Sequence, residues 1–329
     1  MRLPRFHRNK ASLFLFVLAL ILMVLTALST SDLSAAGSKV KQKTFASPEE
    51  AVKAFIDAMK TANKEELTAI FGPKAVSQLS SGDKVSDRAE REWVVKAYEE
   101  KNSLERKGDD RAILELGNDK WPLPFPLVKK GSGWHFDAEA GREEILNRRI
   151  GRNELRVIET MLGYVDAQRE YASRDRTGSG VHTFALKLMS APGKKDGLYW
   201  DAKEGEEESP AGPFVAKAAQ EGYTRKAKTD KPSPFHGYYF RILTAQGKNA
   251  PGGAYDYVVK GNMILGFGLV AYPAKYGSSG IMTFIVNQEG VVYQKDFGKN
   301  TAKAAASIRK YDPDKTWEKA EQTKGMAGM

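Results

Sequence analysis

The stretch that most constrains this chain is NELRVIETMLGYVDAQREYAS, running from Asn153 to about Ser173. Leu155, Ile158, Leu162 and Val165 recur there at three- and four-residue intervals, with Tyr171 and Ala172 further along. That spacing predicts an amphipathic helix with one buried stripe. A break at Ile150-Gly151 is expected to separate it from a shorter connecting helix, Glu143 to Arg149, whose basic end suits a helix C-terminus. One compact unit precedes this helix and a run of strands follows it, so the whole reads as α+β.

The first unit, residues 45–140, opens on FASPEEAVKAFIDAMK. Ser47 is a good N-cap, Pro48 suits the first helical position, and Glu50 closes a capping box. Val52, Phe55, Ile56 and Met59 form the expected buried face. A short helix after Asn63 is expected to stop at Gly72-Pro73, and a third, from Asp87 to about Asn102, to turn Trp93, Val94 and Tyr98 to one side. Arg111 to Leu116 alternates like a strand, and WPLPFPLVKKGSGWHFD reads as a hairpin.

The second unit, residues 141–300, is expected to lay the Asn153 helix on an antiparallel sheet. Its strands are HGYYFRILTAQG, AYDYVVKGNMILGFGLVAYPAKYG and GIMTFIVNQEGVVYQKDFG, the last a hairpin turning at Gln288-Glu289-Gly290. Between helix and sheet, Ala191 to Pro234 is rich in Gly, Pro and charge and reads as a surface excursion with one helical piece, Phe214 to Gly222. A C-terminal helix and tail, 301–329, close the chain.

Residues 1–36 carry an address. Arg2, Arg5, Arg8 and Lys10 precede Ala11 to Leu28, a stretch without charge, and Ser34-Ala35-Ala36 offers a cleavage site before Gly37. This is a secretory signal pattern, or an uncleaved N-terminal anchor if the apolar run is retained. Residues 37–44 are then a polar leader. The expected location is periplasmic or secreted, with membrane contact only through the N-terminal segment. The chain has no Cys, which excludes disulfides, thiol nucleophiles and a lipid-modified cysteine. The net charge of +10 is scattered among acids, giving a basic soluble surface suited to an envelope protein or a wall polymer, not to nucleic acid.

Two helices followed by a meander ending in PLVKKGSGWHF give residues 45–137 a resemblance to cystatin-like or NTF2-like small domains, which curl a sheet around a helix and often cup a ligand. GLYWDAKEGEEESPAGPF, FHGYYFRILTAQG and AYPAKYGSSGIMTFIVNQEGVVYQKDFG, with RRIGRNELRVIETMLGYVDAQREYA before them, resemble an exported bacterial family catalogued as a domain of unknown function, number twenty-nine fifty. That resemblance covers residues 45–317 and implies an envelope protein with no assigned activity and no catalytic residues to carry over. The order of helix, loop, GYYFRILTA and YPAKYGSSGIMTFIVNQEGVV is also similar to the globular part of type IV pilins and type II secretion pseudopilins. The chain lacks a prepilin leader continuous with the helix, so the second resemblance implies domain shape and not filament assembly.

No catalytic signature stands out. His135, His182 and His236 fall in no metal-ligand spacing, and there is no nucleophile elbow or phosphate-cradling loop. No cofactor or metal is expected. The candidate binding surface is Trp200, Asp201, Glu204, Glu206, Glu207 and Glu208 on the excursion, with His236 and Tyr238 at the start of the sheet. The acidic run reads as a solvated loop or as carboxylates for Ca²⁺. Trp200 either offers a platform to sugar or peptide or pins the loop to the sheet. The favoured function is non-catalytic binding or assembly. The alternative is a wall- or sugar-directed hydrolase or lyase, which needs His236 beside an acid of the 201–208 loop. A third expectation is an apolar ligand pocket inside the first unit.

Overall fold

The computed structural model describes residues 42–321 apart from 179 and 224–232. The expected signal segment thus lies outside the described residues, and no described helix is long and apolar enough to cross a membrane. The architecture is α+β, with all named strand pairings antiparallel.

Helix α1 (Pro48–Lys60) starts as its sequence dictates. Ser47 Oγ accepts the Glu50 amide at 3.1 Å, and Glu50 Oε2 reaches back to the Ala46 amide at 3.1 Å. These bonds satisfy donors that a helix leaves unpaired at its start. Asn63 caps α2 (Lys64–Phe71) in the same way. Gly72-Pro73 ends α2 but also begins α3 (Pro73–Leu79), because Pro suits the first helical position and Gly72, at φ +86°, turns the chain between them. Helix α4 (Lys84–Glu100) follows.

The first sheet contains β1 (Asn102–Arg106), β2 (Arg111–Leu116), β3 (Trp121–Pro122), β4 (Leu127–Lys130) and β5 (Gly133–Phe136), in the order β1-β2-β4-β5 with β3 also on β2. Strand β1 had no sequence signal, since NSLER is mostly exposed and lacks apolar alternation. The space between α1 and this sheet is filled by the rings of Phe55, Phe71, Phe125 and Phe136, whose centroids lie 4.9–5.5 Å apart. Side chains therefore fill the space between α1 and the sheet, and the cavity of about 500 Å³ on this unit is an open cleft where Phe45, Ala54 and Ala58 are mixed with Lys43, Lys53 and Asp57.

Helix α5 (Ala138–Tyr171) corrects the expected break: the connecting helix and the principal helix are one element of 34 residues, roughly 50 Å long. Gly151 does not interrupt it, because a lone glycine weakens a helix by only about 1 kcal/mol. Asp137 caps its start. The buried stripe is also displaced from expectation: Val157, Ile158, Met161, Tyr164, Val165, Gln168 and Tyr171 are buried, while Leu155 is 40% exposed. The helix carries two overlapping apolar stripes, and packing selects the one that contains the larger rings. Gly163 lies where an added Cβ would fall 1.8 Å from the Phe214 ring, so α6 (Gly212–Gln220) crosses α5 there at close range.

The second sheet runs in the order β14-β13-β12-β11-β6. Its strands are β6 (Tyr238–Leu243), β11 (Gly268–Pro273), β12 (Met282–Asn287), β13 (Tyr293–Asp296) and β14 (Glu318–Lys319). Two small pairs, β7 (Ala245–Gln246) with β8 (Tyr255–Asp256) and β9 (Val258–Val259) with β10 (Asn262–Met263), sit between β6 and β11 in the chain. Because side chains alternate along a strand, Leu269, Ala271, Phe284 and Val286 join the α5 core. Leu243, Val270 and Ile285 face the other way, against Tyr311 and the end of α7 (Thr301–Ser307).

Two glycines of α5 test the continuous helix. Gly151→Ala, with nothing within 4 Å of the added carbon, is expected to raise stability by about 0.5–1 kcal/mol in urea denaturation. Gly141→Ala places a carbon 2.3 Å from the Pro124 carbonyl oxygen and is expected to lose about 1–3 kcal/mol. A destabilised Gly151→Ala protein would show that the helix breaks there.

Candidate functional site

Three places concentrate polar or aromatic side chains: a buried polar joint, the excursion around Trp200, and an exposed aromatic pair. The joint is centred on Asp83, which is 1% exposed. As the N-cap of α4 it accepts the Val85 and Ser86 amides through Oδ1, at 3.0 and 3.2 Å. Its Oδ2 accepts the Tyr223 hydroxyl at 2.8 Å and the Gly237 amide at 3.0 Å. Tyr223 Oη in turn accepts the His236 amide at 3.1 Å. Burial, followed by the negative charge of Asp83, raises the Tyr223 pKa and keeps this hydroxyl a donor.

His236 is 5% exposed and sits at φ +48°, a left-handed backbone that side chains other than Gly rarely adopt. Arg156 Nη1 lies 3.2 Å from its Nδ1, and Glu221 Oε2 lies 3.3 Å from its Nε2. A guanidinium can only donate, so Nδ1 accepts and the neutral ring carries its proton on Nε2, pointing at Glu221. Burial first, then Arg156, Lys217 and Arg152, push the imidazole pKa down to about 3. Glu221 is partly solvated, and water screens its opposing pull. Both ring nitrogens are thus occupied in the resting protein.

Tyr238 is wholly buried, and its hydroxyl donates toward Glu154 Oε1 at 3.3 Å and the Met282 carbonyl at 3.1 Å. Glu154 Oε1 also accepts the Ile281 and Met282 amides, fixing α5 to β12. Tyr238 belongs to the core and not to a binding surface. His182 Nδ1 donates to the Ala172 carbonyl at 2.9 Å and closes the loop after α5.

Trp200 is 7% exposed, and its indole N–H donates to the Glu207 carbonyl at 2.9 Å. The Arg176 guanidinium lies over the rings of both Trp200 and Tyr171. The Glu207 carboxylate meets Lys195 at 2.9 Å, Arg176 at 3.0 Å and Arg174 at 3.5 Å, and the Lys195 bond leads in lowering its pKa. Of the two readings of Trp200, the geometry matches the loop pin. Asp201 accepts the Tyr199 hydroxyl at 2.8 Å, Glu206 accepts the Lys203 amide at 3.2 Å, and Glu204 and Glu208 are exposed. The acidic run does not close round a cation site; its central carboxylate is taken by three side-chain cations.

These residues do not meet His236. Arg156, beside His236, and Tyr171, beside Arg176 and Trp200, are separated along α5 by a rise of roughly 22 Å. The carboxylate that reaches His236 is Glu221, outside the 201–208 loop. The geometry required for the hydrolase or lyase alternative is not formed.

The sequence turns Trp93 to one side of its helix with Val94 and Tyr98, and the structure leaves it 47% exposed. It stands perpendicular to Trp121, with ring centroids 5.0 Å apart, and Arg148 lies 5.1 Å from the Trp121 centroid. Arg148 is held by Glu144 at 2.6 Å. One turn before Trp93 on α4, Glu90 pairs with Arg149 at 2.7 Å and with Arg152. An exposed indole, a second ring supporting it edge-on and a row of guanidiniums thus share the seam between α4 and α5. The Arg-Arg sequence of 148–149, read as a helix terminus, was the only trace of this seam in the sequence.

The family model for a protein of unknown function, DUF2950, matches residues 42–320. The chain belongs to this family. The match takes in both sheets, α5 and the whole excursion, so the joint and the Trp93 seam both lie within the family's span. No curated protein and no solved structure matches the chain. The cystatin-, NTF2- and pilin-like resemblances accordingly gain no support from the comparisons.

The joint has a pH signature. Below pH 6.5 an unfolded chain protonates this histidine, whereas the folded protein does not until near pH 3. The stabilisation is therefore complete above pH 6.5 and is lost as pH falls toward 3. Replacing His236 by Asn, which tolerates a left-handed backbone, is expected to remove up to about 3 kcal/mol of the stability change between pH 6.5 and 4. Urea midpoints that fall equally in both proteins would contradict this.

Proposed function

We propose that this protein is an exported envelope component that acts in the periplasm as a non-catalytic binding module, and that the Trp93–Trp121–Arg148 seam is its contact with a wall polymer. Export is supported by the basic N-terminus followed by the uncharged Ala11 to Leu28. The carrying observation is the half-exposed Trp93 ring braced by Trp121 beside Arg148. Tryptophan presents a large, rigid amphipathic face at low entropic cost. The C–H faces of pyranose rings stack on such a surface, and exposed Arg148 and Arg152 keep donors beyond those given to Glu144 and Glu90 that suit carboxylates of wall peptides. Exposing an indole in water has a hydrophobic cost, and a bound polymer would recover it.

Sedimentation of the purified protein with isolated peptidoglycan sacculi tests the reading. Trp93→Ala is expected to weaken retention at least about tenfold, the effect of a binding hot spot, while leaving the fold intact. Trp200→Ala is expected to lose about 3–5 kcal/mol of stability, because that ring is buried. Equal retention of Trp93→Ala and the unchanged protein would remove the seam from the binding surface. No retention of either would remove the wall polymer as partner.

A further inference from the structure

We infer that the face of the second sheet turned away from α5 carries a phosphate-binding site, formed by Arg241 and Arg309 at the C-terminal end of α7 with Tyr239 and Tyr272 as its floor. The register places Tyr239 opposite Tyr272 and Arg241 opposite Val270, so all four lie on the face that Val270 shares with Leu243 and Tyr311. The two tyrosine rings lie 5.6 Å apart.

The guanidiniums are brought together by the helix end. Arg241 Nη2 donates to the Ala305 carbonyl at 2.7 Å, and Arg309 Nη1 donates to the next carbonyl, Ala306. Arg241 is half-buried, and its pKa is held below the usual range first by burial and then by the charge of Arg309. Among the described residues no carboxylate forms an ion pair with either arginine. Asp312, the nearest acid along the chain, is turned to the amide and side chain of Asn249.

Capping α7 does not account for this pair. A helix C-terminus carries about half a negative charge, which offsets at most half of one guanidinium. Two like charges remain in close company, one of them partly out of water. Each guanidinium has five N–H donors in a planar fork, and the bonds to α7 use few of them. A doubly charged tetrahedral oxyanion fits two adjacent forks and relieves the repulsion between them. The site is independent of the Trp93 seam, which belongs to α4, β3 and the first half of α5.

The test titrates inorganic phosphate into the full protein at low salt by calorimetry, with vesicles containing phosphatidic acid, a lipid phosphomonoester, as a second arm. Saturable binding of inorganic phosphate identifies a free anion as the ligand; binding to vesicles alone identifies a lipid headgroup. In whichever arm binds, Arg309→Gln is expected to weaken binding at least tenfold. Arg309 is exposed, so its variant should keep the unchanged far-ultraviolet circular dichroism. Arg309→Lys, which keeps the charge without the fork, is expected to restore only part of the affinity. No binding in either arm, or Arg309→Gln binding as tightly as the unchanged protein, would overturn the inference.

Discussion

One carboxylate, that of Asp83, ties together three parts of the chain that are remote in sequence. Its two oxygens take four donors: two amides that open α4, the Tyr223 hydroxyl after α6, and the Gly237 amide that leads into β6. A buried carboxylate is tolerated only when its lone pairs are filled, and hydrogen bonds to a charged group contribute about 1.5–3 kcal/mol each. The requirement acts in both directions. The helix start, the tyrosine and the strand start must each be in place for the charge to be stable, so the first core and the second sheet are assembled against one another.

The position of His236 follows from that anchor. With Gly237 bonded to Asp83 and the His236 amide bonded to Tyr223, the backbone is forced through a left-handed turn just before β6. The ring is then driven between Arg156 and Glu221 and against Phe235, whose centroid is 4.0 Å away. Backbone strain of this kind is often found where function resides. Here it serves a joint, and the ring's two nitrogens are used to satisfy neighbouring charges.

Helix α5 performs the complementary task along its length. Its first turns lie against Pro124 and Phe125, its last turns against the second sheet, and its middle is polar. Arg149 reaches Glu90, Asn153 donates to the Ser279 carbonyl, and Glu154 accepts two amides of β12. A helix that crosses from one core to another needs polar partners in between, where neither core covers it. The same crossing leaves the α4–α5 seam open at Trp93, because α4 spends its buried face on the first core and Trp93 meets only the edge of Trp121 beside the guanidiniums of α5.

Elements whose cause is local were legible in the sequence. Ser47 and Glu50 set a helix start within one turn, Arg111 to Leu116 alternates because one face is buried, and the hairpin expected in WPLPFPLVKKGSGWHFD forms, turning at Gly131-Ser132. The second sheet was visible in its aromatic and β-branched strands, and the pinning of Trp200 was one of the two readings its neighbours allowed. Tertiary structure alone decided what depends on distant partners. Gly151 continues a helix because packing on both sides outweighs the weak local cost of one glycine. Leu155 is exposed and Val157 buried because the sheet chose one of two stripes. His236 meets Glu221 and Asp83's network, not the acidic loop, and Trp93 is left in solvent while Trp200 is enclosed. Sequence specifies short-range hydrogen bonding and periodicity; which side chains share a site is set by how long elements cross, and that is a property of the packed whole.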